Sequence, residues 1–258
     1  MTNLKIKSKS KKEKINIYNS INFKSMRRAG NLAAETLDFI TKYVQSGVMT
    51  EELDKLCHNF IVNNKAQPAP LNYNGFPKSI CTSVNHVVCH GIPAADKILK
   101  EGDIINIDVT VIVDGWHGDS SRMYLVGNKV PIKAKRLVEV TYECLMLGIE
   151  AVKPGATLGD VGWAIQEYAE KQRFSVVRDF CGHGLGKTFH APPSVMHVGT
   201  PGRGTVLEPG MFFTIEPMIN TGHYATKVLQ SDNWTAVTRD RSLSAQFEHS
   251  LAVTETGY

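Results

Sequence analysis

Two aspartates on a predicted β-hairpin are the first residues of this 258-residue chain that could do chemistry. Asp114-Gly115 is a strong two-residue turn signal, and a turn there pairs Thr110 with Asp119. Asp108 is then the diagonal neighbour of Asp119 on the same face, with Cβ atoms about 7–8 Å apart. Such carboxylates repel each other unless a cation lies between them, and two metal ions about 3.5–4 Å apart would fit there. The alternative is an exposed, solvated sheet face, and this pair alone leaves both interpretations open.

Two further strand-like segments place a glutamate on a polar stripe. In residues 211–217, Thr214 and Glu216 share a face, and in residues 244–253, Glu248 shares a face with Gln246 and Ser244. A glutamate on a buried strand is normally paired or bound to a metal ion. These two segments therefore favour the metal interpretation of the aspartate pair.

The glycine-rich segment CGHGLGKTFHAP (181–192) is similar to a phosphate-binding loop but has the wrong spacing. That loop has four residues between its first glycine and its Gly-Lys pair, whereas three separate Gly182 from Gly186. We therefore reject a nucleotide site. The glycines instead let the backbone approach another group closely on both sides of His183. Because the chain also has four carboxylates on the polar faces of predicted strands, His183 is interpreted as a fifth ligand.

The candidate ligands together predict a metal-dependent hydrolase. They form a hard, oxygen-rich set that suits Mn, Fe(II), Co or Zn: Asp108, Asp119, His183, Glu216 and Glu248. Water held between two such ions becomes a hydroxide nucleophile near neutral pH. The predicted chemistry is hydrolysis of a carbonyl or phosphoryl substrate.

The elements that must position these residues suggest one α+β domain over residues 23–258. Apolar periodicity predicts four helices, over 23–48, 49–63, 132–152 and 158–172. The second has Thr50 as its N-cap, and the fourth begins with a Thr157/Asp160 capping box. Besides the hairpin, strands are expected near 79–83, 86–90, 175–181, 211–216 and 244–254, with an ordered loop over 67–77. The layout is typical of an antiparallel or mixed sheet with helices on one face.

Charge is concentrated at the N-terminus. Residues 1–20 hold six lysines and one glutamate, so the remaining body has a net charge of −1. We expect residues 1–22 to be a disordered, solubilising basic tail. The alternative is contact between this tail and an acidic surface such as ribosomal RNA. The body is not a basic nucleic-acid platform.

Cysteine usage and hydropathy predict a cytoplasmic protein. Five cysteines without a CxxC pair fit neither a disulfide framework nor a thiolate zinc site, so we expect a reducing compartment. No stretch is long and apolar enough for a membrane helix, and no apolar segment follows the N-terminal lysines as in a secretory signal.

Six segments that contain these residues resemble type I methionine aminopeptidases. In chain order they are TSVNHVVCHGIP (82–93), INIDVTV (105–111), GDSSRMY (118–124), GHGLGKTFH (182–190), FFTIEPMI (212–219) and SAQFEHS (244–250). The resemblance implies a pita-bread fold of two related halves around a dinuclear metal site. It also implies an enzyme that removes the initiator methionine from nascent chains and prefers a small second residue.

The resemblance assigns roles to individual residues. Asp119 and Glu248 would bridge two metal ions, His183 and Glu216 would complete one of them, and Glu216 would also be the general base. His90 and His190 would contact the substrate. The pocket for the methionine side chain would be lined by Tyr73, Phe76, Cys81, Phe189, Met218, Trp234 and Gln246. A monovalent cation, Na⁺ or K⁺, would be held mainly through backbone carbonyls by Asn85, Val87 and Ser244. Pro70 stands where some relatives have a pocket cysteine.

The implied partners are nascent polypeptide N-termini, with ribosome contact. We expect a monomer that binds neither a specific nucleic acid nor a membrane. One alternative is an X-Pro dipeptidase-like enzyme of the same fold, which usually has an extra N-terminal domain. Another is a non-catalytic ribosome- or RNA-binding relative, which typically loses ligands, whereas all five are present here.

Overall fold

The structure is a computed structural model that describes residues 14–258. Four α-helices lie in this part of the chain: α1 (Ser20–Ile40), α2 (Thr50–Asn63), α3 (Ile132–Glu150) and α4 (Leu158–Lys171). Short 3₁₀ turns occur at Thr41–Tyr43 and Tyr73–Gly75. None of these helices is both long and apolar enough to cross a membrane.

The N-terminal boundary differs from the predicted one. Residues 1–13 of the predicted tail lie outside the described residues, but α1 begins at Ser20, before residue 23. Asn19 is its N-cap, and the Asn19 side chain accepts hydrogen bonds from the backbone N–H groups of Ile21 and Asn22. Tyr18 stacks on Phe212 with ring centroids 4.7 Å apart. Disorder was therefore the wrong prediction for residues 18–22, because this uncharged segment supplies a capping asparagine and a packed aromatic ring.

Fourteen strands lie in the described residues. They are β1 (Gln67–Pro68), β2 (Cys81–Val84), β3 (Val87–Cys89), β4 (Ile104–Val113), β5 (Trp116–Leu125), β6 (Ser175–Val176), β7 (Gly182–Gly184), β8 (Ala191–Val195), β9 (Phe212–Ile215), β10 (Met218–Asn220), β11 (Thr226–Val228), β12 (Ala236–Thr238), β13 (Ser244–Gln246) and β14 (Glu248–Ala252). The main sheet has the order β1-β4-β5-β14-β9-β7-β8, with β2 also paired to β4. All strand pairs between residues 14 and 258 are antiparallel. The predicted α+β class is thus confirmed.

Two hydrophobic cores hold the helices against the main sheet. In the first, Leu37 of α1 and Ile61 of α2 belong to one buried cluster with Ile107 of β4. In the second, Ile165 of α4 is buried in one cluster with Phe213 of β9. In the sheet, β5 and β14 lie between β4, which packs on the first core, and β9, which packs on the second. The boundary between the two cores is therefore near the centre of the sheet.

The predicted hairpin is present with the predicted register. Asp114 and Gly115 both have positive φ, 50° and 78°, as a two-residue type I′ turn requires. Thr110 pairs directly with Asp119. Asp108 pairs with Ser121, which makes it the diagonal neighbour of Asp119.

The single strand predicted over 244–254 is wrong. The chain leaves β13, which belongs to a small sheet with β10 and β6, and enters β14 of the main sheet after Phe247. Alternating polarity continues through this bend, so the pattern alone does not reveal it. The change of sheet places Gln246 and Glu248 on different strands beside the same site.

Two smaller predictions also differ from the structure. Thr50 is the first residue of α2 and Met49 is the N-cap, because the Thr50 hydroxyl bonds instead to the backbone of Ala94. The strand predicted over 175–181 is shortened to β6. The Thr157/Asp160 capping box at the start of α4 is confirmed.

Candidate metal and substrate site

Asp119 is held by hydrogen bonds on both its side chain and its backbone. The Thr110 hydroxyl donates to Asp119 Oδ1 at 2.6 Å across the hairpin. From β14, Ser250 Oγ accepts from the Asp119 N–H at 3.0 Å and donates to its carbonyl at 2.7 Å. The residue is buried, with a relative exposure of only 3%. This carboxylate therefore has a defined orientation.

Asp108 has a buried oxygen that lacks a partner. Among the described residues, none forms a hydrogen bond with Asp108 Oδ1. Burial, together with the nearby carboxylates of Asp119 and Glu216, raises the pKa of Asp108 well above its usual range. An ionised carboxylate in this position needs a cation to compensate it.

The glycines on either side of His183 permit close contacts, as predicted. A side chain on Gly182 would collide with the Thr214 carbonyl, and one on Gly184 with the Pro192 carbonyl. The backbone N–H of His183 donates to Thr214 Oγ1 at 3.0 Å. These contacts fix β7 against its neighbours in the sheet.

The His183 ring is oriented by the backbone of the next residue, Gly184. Its Nδ1 donates to the Gly184 carbonyl at 3.1 Å, because a carbonyl only accepts. Nε2 then lies 3.5 Å from Asp119 Oδ2 and 3.8 Å from Glu216 Oε1. Burial lowers the pKa of His183, but the two carboxylates outweigh it and raise this pKa to about 9.

Glu216 receives a hydrogen bond on each carboxylate oxygen. Thr214 donates to Oε1 at 2.9 Å, and Gln246 Nε2 donates to Oε2 at 3.2 Å. The Glu216 N–H donates to Nε2 of His197 at 3.0 Å. Burial raises the pKa of Glu216 to about 7, and burial beside Asp119 and Glu216 raises that of Glu248 well above its usual range.

The five predicted ligands converge on one cavity. Asp119, His183 and Glu248 each offer a ligand atom, and these atoms all lie within 4.8 Å of one another. Glu216 Oε1 lies 3.8 Å from His183 Nε2, and both Glu216 and Asp108 line the same cavity. Lysine and arginine are absent from the described residues that line it. The site thus contains four carboxylates that repel one another and one imidazole, and one of the carboxylate oxygens has no hydrogen-bond partner among the described residues. This donor set fits a site for divalent metal ions.

The cavity next to these ligands has a volume of about 420 Å³. Apolar and aromatic side chains form its wall, and Phe76 meets Trp234 edge to face with centroids 5.2 Å apart. Of the predicted substrate-binding residues, those that line it are Tyr73, Phe76, Cys81, His90, Phe189, His190, Met218 and Trp234. Gln246 does not line the cavity but lies behind it, bonded to Glu216.

Several residues of the site were not predicted. Phe180, Asp179, Asn74 and Ser194 also line the cavity, and no periodicity or motif in the sequence singles them out. His197 is fully buried, and burial lowers its pKa to about 3, so it remains a neutral acceptor for the Glu216 N–H. For Thr110 and Thr214 a signal existed, because each shares a strand face with a carboxylate.

The residues expected to hold a monovalent cation lie near one another. The Ser244 N–H donates to the Asn85 carbonyl at 2.8 Å, and Val87, two residues after Asn85, begins β3. Ser244 Oγ is buried and has no hydrogen-bond partner within residues 14–258. A cation at this position stays a prediction.

Comparisons with known proteins match nearly the whole chain. The model of metallopeptidase family M24 matches residues 24–255. The methionine aminopeptidase of Rickettsia prowazekii is 62% identical over 95% of this chain and 93% of its own length, and its crystal structure has a TM-score of 0.93 to this fold. A methionine aminopeptidase structure from Thermotoga maritima is 39% identical, with a TM-score of 0.92, over 95% of this chain and 97% of that one. Prolidase from Pyrococcus furiosus shares the fold at 21% identity and a TM-score of 0.71, and the match covers 93% of this chain and 63% of the prolidase.

Proposed function

Since the chain belongs to the methionine aminopeptidases of metallopeptidase family M24, we propose that it removes the N-terminal methionine from nascent proteins at a dinuclear metal centre. The chain is a metal-dependent exopeptidase with the pita-bread fold of this family. One observation carries the finer proposal: an acidic ligand cluster forms one end of an apolar cavity that is large enough for a methionine side chain.

The ligand set supports two divalent ions rather than one. Asp119, His183 and Glu248 offer atoms close enough to share one ion. Asp108 has a buried, unpartnered oxygen beside Asp119, which suits a second ion. When bound, the ions would polarise the scissile carbonyl and lower the pKa of water, so that a nucleophile is available near pH 7. Co, Mn, Fe(II) and Zn are all compatible with these donors.

Glu216 is the proposed general base. Its hydrogen bonds from Thr214 and Gln246 fix the carboxylate at the edge of the cavity. It would accept a proton from the attacking water and return that proton to the leaving amine. His190 also lines the cavity, where it would donate to the developing oxyanion, and His90 would contact the substrate beside it.

The apolar wall accounts for the choice of methionine. Burial raises the pKa of Cys81 well above its usual range, so this residue contributes a neutral thiol. An unbranched thioether fits a wall of Trp234, Phe76 and Met218, whereas a charged side chain would lose its hydration against these apolar groups. The preference for a small second residue rests on membership of the family.

The remaining parts of the proposal concern the cell. Nascent chain N-termini would be the substrates, and the protein would act as a cytoplasmic monomer, with the basic residues before α1 as a solubilising tail or, in the alternative, as a contact with the ribosome. All five cysteines are unpaired thiols, which agrees with a reducing compartment. A monovalent cation beside Asn85 and Ser244 would complete the predicted ion set.

Peptide hydrolysis tests this proposal directly. The metal-free protein should be assayed on Met-Ala-Ser, Leu-Ala-Ser, Lys-Ala-Ser and an X-Pro peptide, with each divalent ion added in turn. We expect cleavage of Met-Ala-Ser, weaker cleavage of Leu-Ala-Ser and none of the other two. Preferred cleavage of the X-Pro peptide would favour the dipeptidase alternative. Inactivity with every ion would favour a non-catalytic relative.

A further inference from the structure

Tyr73 makes a direct contact with His190 at the entrance of the cavity. Its hydroxyl lies 2.9 Å from His190 Nδ1, and the two ring centroids are 5.2 Å apart. The two residues are 117 positions apart in the chain. This is the only side-chain hydrogen bond that His190 makes within residues 14–258.

The Tyr73–His190 pair is supported on both sides. The Tyr73 N–H donates to the Pro70 carbonyl at 3.0 Å, and the Phe76 N–H donates to the Tyr73 carbonyl at 2.9 Å. Phe189 packs on both rings, with centroids 4.8 Å from Tyr73 and 4.2 Å from His190. The phenol is thus presented to the imidazole by a tight turn and an aromatic neighbour.

The direction of this hydrogen bond determines which nitrogen of His190 carries the proton. A neutral imidazole has one N–H donor and one lone pair. A phenol O–H is a good hydrogen-bond donor, whereas the phenol oxygen is a weak acceptor because its lone pair is conjugated with the ring. The lone pair of the imidazole nitrogen is a stronger acceptor than this oxygen. Tyr73 therefore donates and Nδ1 accepts, which leaves the proton on Nε2.

We propose that Tyr73 is a positioning residue that holds His190 in the Nε2–H tautomer, so that this imidazole presents an N–H donor to the oxyanion formed from the scissile carbonyl. The inference rests on the proposed function, because that function gives the N–H its use. His183 provides the contrast: its Nδ1 donates to the Gly184 carbonyl, which leaves Nε2 with a lone pair for a metal ion. Two neighbouring histidines would thus be set to opposite tautomers by their Nδ1 partners.

The spectroscopic test uses the full chain loaded with Zn²⁺ and labelled with ¹⁵N at histidine, and His190 is assigned by comparison with His190→Ala. We expect an unprotonated Nδ1 and a protonated Nε2 in the wild type. In Tyr73→Phe, the two ¹⁵N shifts of His190 should move toward each other as the tautomers mix. A protonated Nδ1 in the wild type, or an unchanged His190 spectrum in Tyr73→Phe, overturns the proposal.

Kinetics of a double-mutant cycle give the second test. Tyr73→Phe should lower kcat and kcat/KM together by about 2–10-fold, the size expected for one hydrogen bond. In a His190→Ala background, Tyr73→Phe should cost nothing further, because its effect passes through that ring. Equal losses in both backgrounds would show that Tyr73 acts elsewhere.

Phe76→Leu is the matched control for the aromatic wall. Phe76 ends the same turn and packs on Trp234 rather than on His190. This variant should raise KM for a methionyl peptide and leave the His190 spectrum unchanged. A wild-type protein that cleaves no methionyl peptide refutes the proposed function, whereas the ¹⁵N spectrum tests the Tyr73 contact without turnover.

Discussion

The imidazoles of His183 and His190 lie side by side, with ring centroids 4.2 Å apart. Their Nδ1 atoms have different partners, the Gly184 carbonyl for His183 and the Tyr73 hydroxyl for His190. His183 Nε2 faces the carboxylates of Asp119 and Glu216, whereas neither carboxylate is bonded to His190. Two histidines in one short glycine-rich segment are therefore placed for different tasks.

Replacing these two histidines separately should affect metal affinity in one variant and the catalytic rate in the other. His183→Ala should weaken binding of the divalent ion, with activity partly recovered at high metal concentration. His190→Ala should keep metal affinity near wild type and lower kcat and kcat/KM together by about 10²–10³-fold, the loss typical of one oxyanion donor. Calorimetric metal titration with peptide kinetics measures both effects. Loss of the metal in His190→Ala, with retention in His183→Ala, would reverse the roles.

Asp108→Asn should remove activity without unfolding the protein. The amide keeps the shape of the side chain but lacks the charge that two cations require, so we expect at least about a 10²-fold loss of kcat. Metal analysis should show fewer ions per chain. Asp114→Asn is the matched control, because Asp114 is an exposed turn residue paired with Arg28 at 2.8 Å. Wild-type turnover by Asp108→Asn at saturating metal would contradict a dinuclear site.

Thr110→Val should weaken metal binding although Thr110 is not a proposed ligand. The valine keeps the volume but removes the hydroxyl that orients Asp119 Oδ1. Loss of such an outer contact typically lowers metal affinity by about 10–100-fold. Thr141→Val is the control, since Thr141 is equally buried but bonds to the Leu137 carbonyl within α3. If titration gave both variants the same affinity, the Thr110 contact would have no role at the site.

The metal-free protein should become less stable as the pH rises from about 6.5 to 9, whereas below pH 6.5 the lowered pKa of buried His197 acts in the opposite direction. The pKa of Glu216 in the folded protein is raised to about 7, whereas a glutamate in the unfolded chain ionises from about pH 4.5. The contribution of Glu216 to stability therefore falls as the pH rises from about 4.5 to 7. His183 has a raised pKa of about 9, so the stability from its protonated form is complete below about pH 6.5 and lost as pH passes 9. Both shifts act in the same direction.

Divalent metal should reverse this loss because it replaces protons among the ligands. The increase in Tm on adding Mn²⁺ to chelator-treated protein should therefore be larger at pH 8 than at pH 5. Differential scanning calorimetry across this range measures it. A metal-induced increase in Tm that does not depend on pH would contradict competition between protons and the ion.

The hairpin shows how far local sequence determines this site. Asp114-Gly115 requires a two-residue turn, and that turn alone fixes which residue faces Asp119 and where Asp108 lies. The predicted register was confirmed because turn length and strand alternation are local properties. The glycines around His183 were likewise readable from sequence, since only glycine permits the close backbone contacts found there.

Tertiary structure alone decided which of these segments become neighbours. Periodicity assigns Glu216 and Glu248 to a polar face, but it does not say that β14 lies between β5 and β9, or that the chain changes sheets after Phe247. The sheet order follows from burying two separate helix-covered cores against one sheet, a condition that involves the whole chain. The hydrogen bond between Tyr73 and His190 has the same origin, because the packing of distant loops determines it and no local pattern in either segment encodes it.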